Sequence, residues 1–313
     1  MDTSRVYKAW LRSIQTENTR KAYDQALQDF FKSAVRNNSD LDQVTPGEID
    51  TWFSDMRERG LSPATITQRL SAVSNFYRYG MAVYGNIITD SPVRILKRPK
   101  VELFGKANYL SIEEAKALIG AIDKRRIQGR RDFALFFGYP MLGRRNSEYR
   151  KMKWGDIQIK GSKMFYYWSG KGSHNVKSEL PPPVYEAIID MLKADGRYGT
   201  IQPEDYLFVA YGRNSSDVIR KNIDSSKPLS IRSVENLLKT YCRKAGLNPS
   251  VVKVHSLRHT ASMLRKLAGD DLESRSNFLG HRSKRTTEIY DHALDGKCDE
   301  SWMSVADFLG VGV

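Results

Sequence analysis

Cysteine is almost missing: Cys242 and Cys298 are the only two in 313 residues. That excludes a disulfide scaffold and a cysteine-built zinc site, and makes a reducing compartment the expected setting. Long apolar runs are missing too. The most apolar stretch, Phe133 to Leu142, is too short and interrupted to cross a bilayer. Met1 to Arg12 lack the apolar core of a secretory leader, so neither export nor a membrane partner is expected. Acidic residues are the minority charge: 36 Asp+Glu against 50 Lys+Arg leave a formal net charge of +14. The 40% hydrophobic and 27% charged fractions are ordinary for a folded protein, so disorder and low complexity are excluded as the main organisation. At roughly 150 residues per domain the chain holds about two. Both charge signs are plentiful, so the excess is a bias on a folded protein rather than a basic tail. It favours a polyanionic partner, most simply nucleic acid, over a merely basic enzyme.

The first hundred residues read as a small helical domain. Asn18 to Arg36 carry Tyr23, Leu27, Phe30, Phe31 and Val35 at helical spacing. Thr45-Pro46-Gly47-Glu48 opens a helix with a capping Thr, Pro at the first helical position and Glu three residues after the cap. That helix is expected to bury Ile49, Trp52, Phe53 and Met56 and to stop at Gly60. Ser62-Pro63 opens the next, with Ile66, Leu70, Val73 and Tyr77 on one face and Thr65, Gln68 and Arg69 on the other. The second face suits either water or a DNA groove. Asp90 to Lys106, with Lys97, Arg98, Pro99 and Lys100, has little periodicity and reads as a linker whose charges are solvated or track phosphates.

Beyond it, Ser111-Ile112-Glu113-Glu114 is a capping box for a helix through about Ile122, and Arg130 to Leu142 is helical and apolar. The period then changes. Asp156 to Lys160 and Met164 to Trp168 flank Gly161-Ser162 as a hairpin, and Ser169 to Ser173 turn into a third strand, His174 to Leu180. Helices return at Pro183 to Ala194, Ser230 to Ala245, Ser256 to Ala268 and Ser301 to Leu309.

Four of five histidines, His255, His259, His281 and His292, lie in the last sixty residues; the fifth is His174. His255 and His259 share a helix face, as metal ligands do, but Ser256 stands where a zinc protease needs Glu. Packing histidines are a second reading. Arg258 and Arg282 among them suggest a third, acid–base chemistry on an anion without a metal.

His255-Ser256-Leu257-Arg258-His259, then Leu279-Gly280-His281, then Tyr290 nine residues on, resembles the signature of the tyrosine recombinases, the phage-integrase and Xer-like family. Gly143-Arg144-Arg145-Asn146-Ser147-Glu148 with Trp154-Gly155-Asp156-Ile157 is similar to a further family motif, and Gly170-Lys171-Gly172 to its β-turn lysine. Any one of these is weak; five in order are specific. The resemblance implies a mainly α fold with a small antiparallel sheet: a helical, SAM-like core-binding domain over 1–98, a linker over 99–108 and a catalytic domain over 109–313.

It implies a chemistry as well. Arg145 and Arg258 would grip the scissile phosphate of double-stranded DNA, with His281 as a further donor. Tyr290 would attack phosphorus, His255 would take its proton, Lys171 would protonate the leaving 5′-oxygen, and Glu148 would buttress Arg145. Thr65, Gln68, Arg69, Lys97, Arg98 and Lys100 would contact DNA. No metal, ATP or other cofactor is expected. The product would be a site-specific recombinase working through a Holliday junction as a tetramer on two sites, in the cytoplasm. A type IB-like topoisomerase or resolvase, and a regulator that binds without cutting, are the alternatives. With no arm-binding domain before the bundle, a simple-site enzyme is expected.

Three positions depart from the pattern. Arg144 and Asn146 replace apolar residues, and Pro140 is expected to bend the helix before Arg145. At the other end, Trp302, Val305, Phe308 and Leu309 form an apolar stripe, expected to dock on a neighbouring protomer.

Overall fold

The computed structural model describes residues 3–36, 43–85, 87–95, 99, 108–169, 175–211, 223–280 and 301–311. The chain divides into two compact units, Met1–Gly105 and Lys106–Val313.

The first unit is helical: α1 (Thr3–Ser13), α2 (Glu17–Arg36), α3 (Pro46–Glu58), α4 (Pro63–Val83) and a 3₁₀ turn at Pro92–Ile95. The Thr45 box forms as the sequence requires: the Thr45 N–H donates to Glu48 Oε2 (2.8 Å) and the Glu48 N–H to Thr45 Oγ1 (3.3 Å). Ser62 caps α4 in the same way, accepting from the Thr65 N–H at 3.2 Å. Ile66, Leu70, Val73 and Tyr77 are all buried. They meet Phe30, Trp52 and Phe76 in an aromatic core, with the Phe30 and Trp52 rings 5.1 Å apart. Phe53 corrects its expectation: it is half-buried, and Arg57 lies 5.5 Å over its ring. The helix α1 was not anticipated. Val6 and Trp10, one turn apart, anchor it to this core, and Trp10 Nε1 donates to Asn75 Oδ1 at 2.8 Å.

The second unit is built around one helix. In chain order it has α5 (Ile112–Gly120), α6 (Ile127–Leu142), α7 (Asn146–Tyr149), a 3₁₀ turn at Trp154–Asp156 and β1 (Ile157–Lys160). Then come β2 (Lys163–Ser169), β3 (Asn175–Glu179), α8 (Pro182–Asp195), α9 (Ile231–Lys244), α10 (Val254–Leu267), α11 (Leu272–Leu279) and α12 (Ser301–Phe308). The helix α6 packs against α8, α10 and α12. It is buried along almost its whole length, which is why its sequence is apolar without an amphipathic period. It runs on past Pro140 to Leu142. The three strands form an antiparallel meander in the order β1-β2-β3. Lys160 pairs with Lys163, leaving Gly161-Ser162 as a two-residue loop with Gly161 at φ 59°.

Trp302, Val305, Ala306 and Leu309 are buried in the core of their own unit, where α12 packs on α10 and α6. Within the single chain the stripe is thus covered by its own unit. An apolar helix face needs some cover, and a groove of the same chain lies within reach. Trp302→Ala should therefore lower stability by about 3 kcal/mol, read as a shift of the urea midpoint of the second unit. An unchanged midpoint would show that α12 does not belong to this core.

Candidate active site

Three stretches far apart in sequence meet at one guanidinium. Arg258 sits in the first turns of α10, buried. Its Nη1 donates to the Gly143 carbonyl and its Nη2 to the Leu279 carbonyl, both at 2.6 Å. Those carbonyls belong to the ends of α6 and α11, each closed by a left-handed glycine, Gly143 at φ 60° and Gly280 at φ 66°. Both glycines are also required by space. A Cβ on Gly143 would lie 2.5 Å from Phe278 Cε1, and one on Gly280 2.5 Å from Trp168 Cη2.

The turn after Gly143 sends its two arginines different ways. Arg145 has extended backbone (φ −68°, ψ 152°) as the residue that caps α7. Arg145 stays 36% exposed, with Nη1 donating to Glu148 Oε1 at 2.8 Å. Glu148 Oε2 accepts the Arg145 N–H at 2.7 Å, so one carboxylate fixes both backbone and guanidinium. Arg144 turns inward and is buried. The corner is strongly positive. Burial, then Arg145, then Arg144 pull the Arg258 guanidinium down to about 10, still charged at neutral pH, while Glu148 acts in the opposite sense.

His255 lies in the first turn of α10, one turn from His259, with the rings edge to face at 4.7 Å. Burial, then His259, Arg258 and Arg145 hold its imidazole below the ordinary histidine range. Burial and Arg258 lower His259 as well. Both rings are thus neutral near pH 7. Among the described residues no three His, Cys, Asp or Glu side chains come together as a metal site requires.

The structure thus brings together Arg145, Glu148, Arg258 and His255. Lys171, His281 and Tyr290 lie outside the described residues, as do Lys97, Arg98, Lys100, His174 and His292. Thr65 and Gln68 are half-buried on α4. Arg69 is not offered on an open face. It is 14% exposed and paired with Asp29 at 2.5 Å, where Arg59 and Trp52 Nε1 also bind. Burial raises that carboxyl, but the hydrogen bonds from Trp52 and Arg59 and the two arginine charges outweigh it and hold it below its usual value. Arg69 therefore ties α4 to α2. Sequence reasoning also missed Trp168 and Phe278, which line the Arg144 side of the corner. The only signal for them was their position beside motif residues.

The histidine pair yields a titration test. A lowered folded pKa means that the unfolded chain takes up protons first on acidification, so both rings withdraw stability as pH falls below about 6.5. His259→Gln removes a neighbour that takes on charge as the pH falls, and the His255 midpoint should rise while staying below the ordinary value. Ring-carbon NMR over pH 4 to 8 reads this directly, and an unchanged midpoint would contradict the coupling.

The chain is similar to known proteins along most of its length. The model described as the phage integrase family matches residues 108–297, and that of the phage integrase N-terminal SAM-like domain matches residues 7–82. Tyrosine recombinase XerC of Caldanaerobacter subterraneus is 26% identical over 308 residues, covering 92% of this chain and 81% of that protein. Among solved structures, the XerH site-specific recombinase bound to palindromic difH substrate in a post-cleavage complex superposes with a TM-score of 0.67. It is 19% identical, covering 88% of this chain and 76% of that one. A lambda integrase tetramer bound to a Holliday junction gives a TM-score of 0.63 at 17% identity, covering 90% of this chain and 76% of that one. These likenesses show a shared fold. With its catalytic-domain match spanning more than half of its length, the chain belongs to the phage integrase family, the tyrosine recombinases.

Proposed function

We propose that this chain is a site-specific recombinase that cuts and rejoins double-stranded DNA through a 3′-phosphotyrosine on Tyr290. The observation that supports it most is the Arg258 junction. It places Arg258 beside Arg145 and at the root of the segment leading to His281. Two guanidiniums at one corner suit the non-bridging oxygens of a phosphodiester, whose negative charge grows in a pentacoordinate transition state. His281 adds a donor to the same oxygens.

The residue roles follow from what the reaction must move. A phenol titrating near 10 is a poor nucleophile, so its proton must go as it attacks. His255, held neutral, accepts that proton. The Tyr290 oxygen bonds to phosphorus, the P–O5′ bond breaks, and Lys171 supplies the proton that the 5′-oxygen needs. The phosphotyrosine retains the bond energy, so a 5′-hydroxyl from another duplex reverses the attack and no nucleotide cofactor or metal is called for. Glu148 keeps Arg145 aimed.

Residues 1–98 form the core-binding domain, 99–108 the linker and 109–313 the catalytic domain. Thr65, Gln68, Lys97, Arg98 and Lys100 contact DNA, which makes binding steeply dependent on salt. Arg69 is left out of that set, because it is largely covered and already engaged in an ion pair with Asp29. Four copies on two sites, exchanging strands through a Holliday junction, fit the assembly named for the lambda integrase structure. The protein works at DNA in the cytoplasm.

A nicked duplex tests this, its sequence first selected from a random pool by the protein itself. Wild type should leave an SDS-resistant protein–DNA adduct, with or without EDTA, while Tyr290→Phe binds but leaves none. Arg145→Ala should slow adduct formation by about 100-fold or more, as losing one oxyanion donor does. An adduct that survives Tyr290→Phe refutes the nucleophile, and loss of the adduct in EDTA points to a metal enzyme.

A further inference from the structure

The motif that supplies Arg145 carries a second arginine where the family pattern has an apolar residue, and its surroundings give it a different task. Arg144 is 2% exposed, and among the described residues no carboxylate pairs with it. Nε donates to the Leu142 carbonyl at 2.8 Å and Nη2 to the Phe278 carbonyl, while Nη1 has no hydrogen-bond partner. The flat guanidinium instead lies on ring faces, with Cζ 4.0 Å from the Trp168 centroid and 5.5 Å from that of Phe278. Beyond Phe278 comes Arg265, 3.6 Å from the same ring. Arg265 donates in turn to Asp270 Oδ2 at 3.2 Å and to Ser301 Oγ.

The four side chains make a column: indole, guanidinium, phenyl, guanidinium. Each member roots in a different segment near the candidate chemistry. Trp168 lies near the end of β2, three residues before Lys171, and Ser178 Oγ accepts from its Nε1 at 3.0 Å. Arg144 precedes Arg145. Phe278 lies in the last turn of α11, three residues before His281. Arg265 shares α10 with Arg258 and reaches Ser301, where the chain resumes α12 after the Tyr290 segment. The indole also packs on Gly280, next to His281.

We infer that Arg144 is a positioning residue. Its guanidinium, clasped between Trp168 and Phe278, sets the segments carrying Lys171 and His281 in register with Arg145 without itself meeting the phosphate. A buried cation with no paired carboxylate among the described residues is costly, and shared contacts offset that cost: two carbonyls and two ring faces, contributed by three segments. Those contacts are lost together if any segment slides. Lysine cannot substitute, because an ammonium has no plane to stack and cannot reach both carbonyls at once.

The inference rests on the roles given to Lys171, Arg145 and His281, and its test separates the two. Arg144→Met keeps the volume and drops the fork; Arg144→Lys keeps only the charge. On the selected nicked duplex, single-turnover adduct formation at saturating protein should fall about 100-fold in Arg144→Met, since small misplacements of reacting groups cost that much. The Kd should stay within about threefold, because binding is spread over many phosphate contacts. Arg144→Lys should recover less than a tenth of the lost rate, and free guanidinium ion should partly rescue Arg144→Ala. Amide hydrogen exchange in Arg144→Met should quicken together at Trp168 and Leu279 while the first unit is unchanged. A wild-type adduct rate overturns the inference. So does a parallel loss of rate, binding and melting temperature, which would mark general destabilisation. If adduct formation proves independent of Tyr290, the functional reading falls, and the exchange experiment still decides: paired quickening upholds the column, and unchanged rates overturn it.

Discussion

The second unit depends on a buried cation held by two backbone carbonyls. Arg258 reaches from α10 to the last turns of two other helices, and each accepting carbonyl is available because a left-handed glycine has ended its helix. A carbonyl left over at a helix end must find a donor, and a charged donor makes the stronger bond, about 1.5–3 kcal/mol each. Desolvating a guanidinium costs several kcal/mol in return. The junction is therefore more a device for location than a source of stability. Remove it, and two helix ends lose their donor while α10 loses its hold on both.

That location explains the rest of the corner. Gly143 must be glycine for its φ and for Phe278, and the chain leaving it is extended for one residue. Arg144 turns inward and Arg145 stays toward solvent. The four-residue helix that follows returns Glu148 to the Arg145 backbone and guanidinium together. One carboxylate between closely spaced guanidiniums leaves the corner with an excess of positive charge.

Much of this was legible in the sequence where the cause is local. Thr45 and Ser111 announce their helices through side chains that reach three residues, and both capping boxes form. The stripe on α4 needs only the helical period, and its four residues are buried as expected. The resemblance grouped His255, Arg258 and Leu279-Gly280 as one site because motifs preserve order. What failed to show depends on partners distant in the chain. Arg69 looked like a groove-facing residue until Asp29, forty residues away, claimed it. The stripe of α12 was correctly read as apolar, but an apolar stripe reports that something covers it, not what. Phe53 was counted as core by period alone, although the edge of a stripe is where a long neighbour such as Arg57 competes with burial. Arg144 and Arg145 were told apart by motif spacing alone, and their opposite fates rest on partners, Trp168 and Phe278 for one and Glu148 for the other, that no composition or period encodes.

Charge is the last feature that the structure sharpens. Six arginines are buried among the described residues. Arg131 pairs with Asp132, Arg197 with Asp195 and Arg265 with Asp270, so those charges are cancelled where they sit. Arg150 is bonded to the Leu229 carbonyl, Arg144 to those of Leu142 and Phe278, and Arg258 to those of Gly143 and Leu279. A carbonyl locates a guanidinium through a weaker bond than a carboxylate makes, and leaves its net charge in place. Two of these three uncancelled cations flank Gly143, beside the half-exposed Arg145. The formal excess of +14 could have been spread anywhere on the surface. What concentrates positive charge at one corner is the choice of carbonyls over carboxylates as partners, and rigid positive charge is what the proposed phosphate chemistry requires.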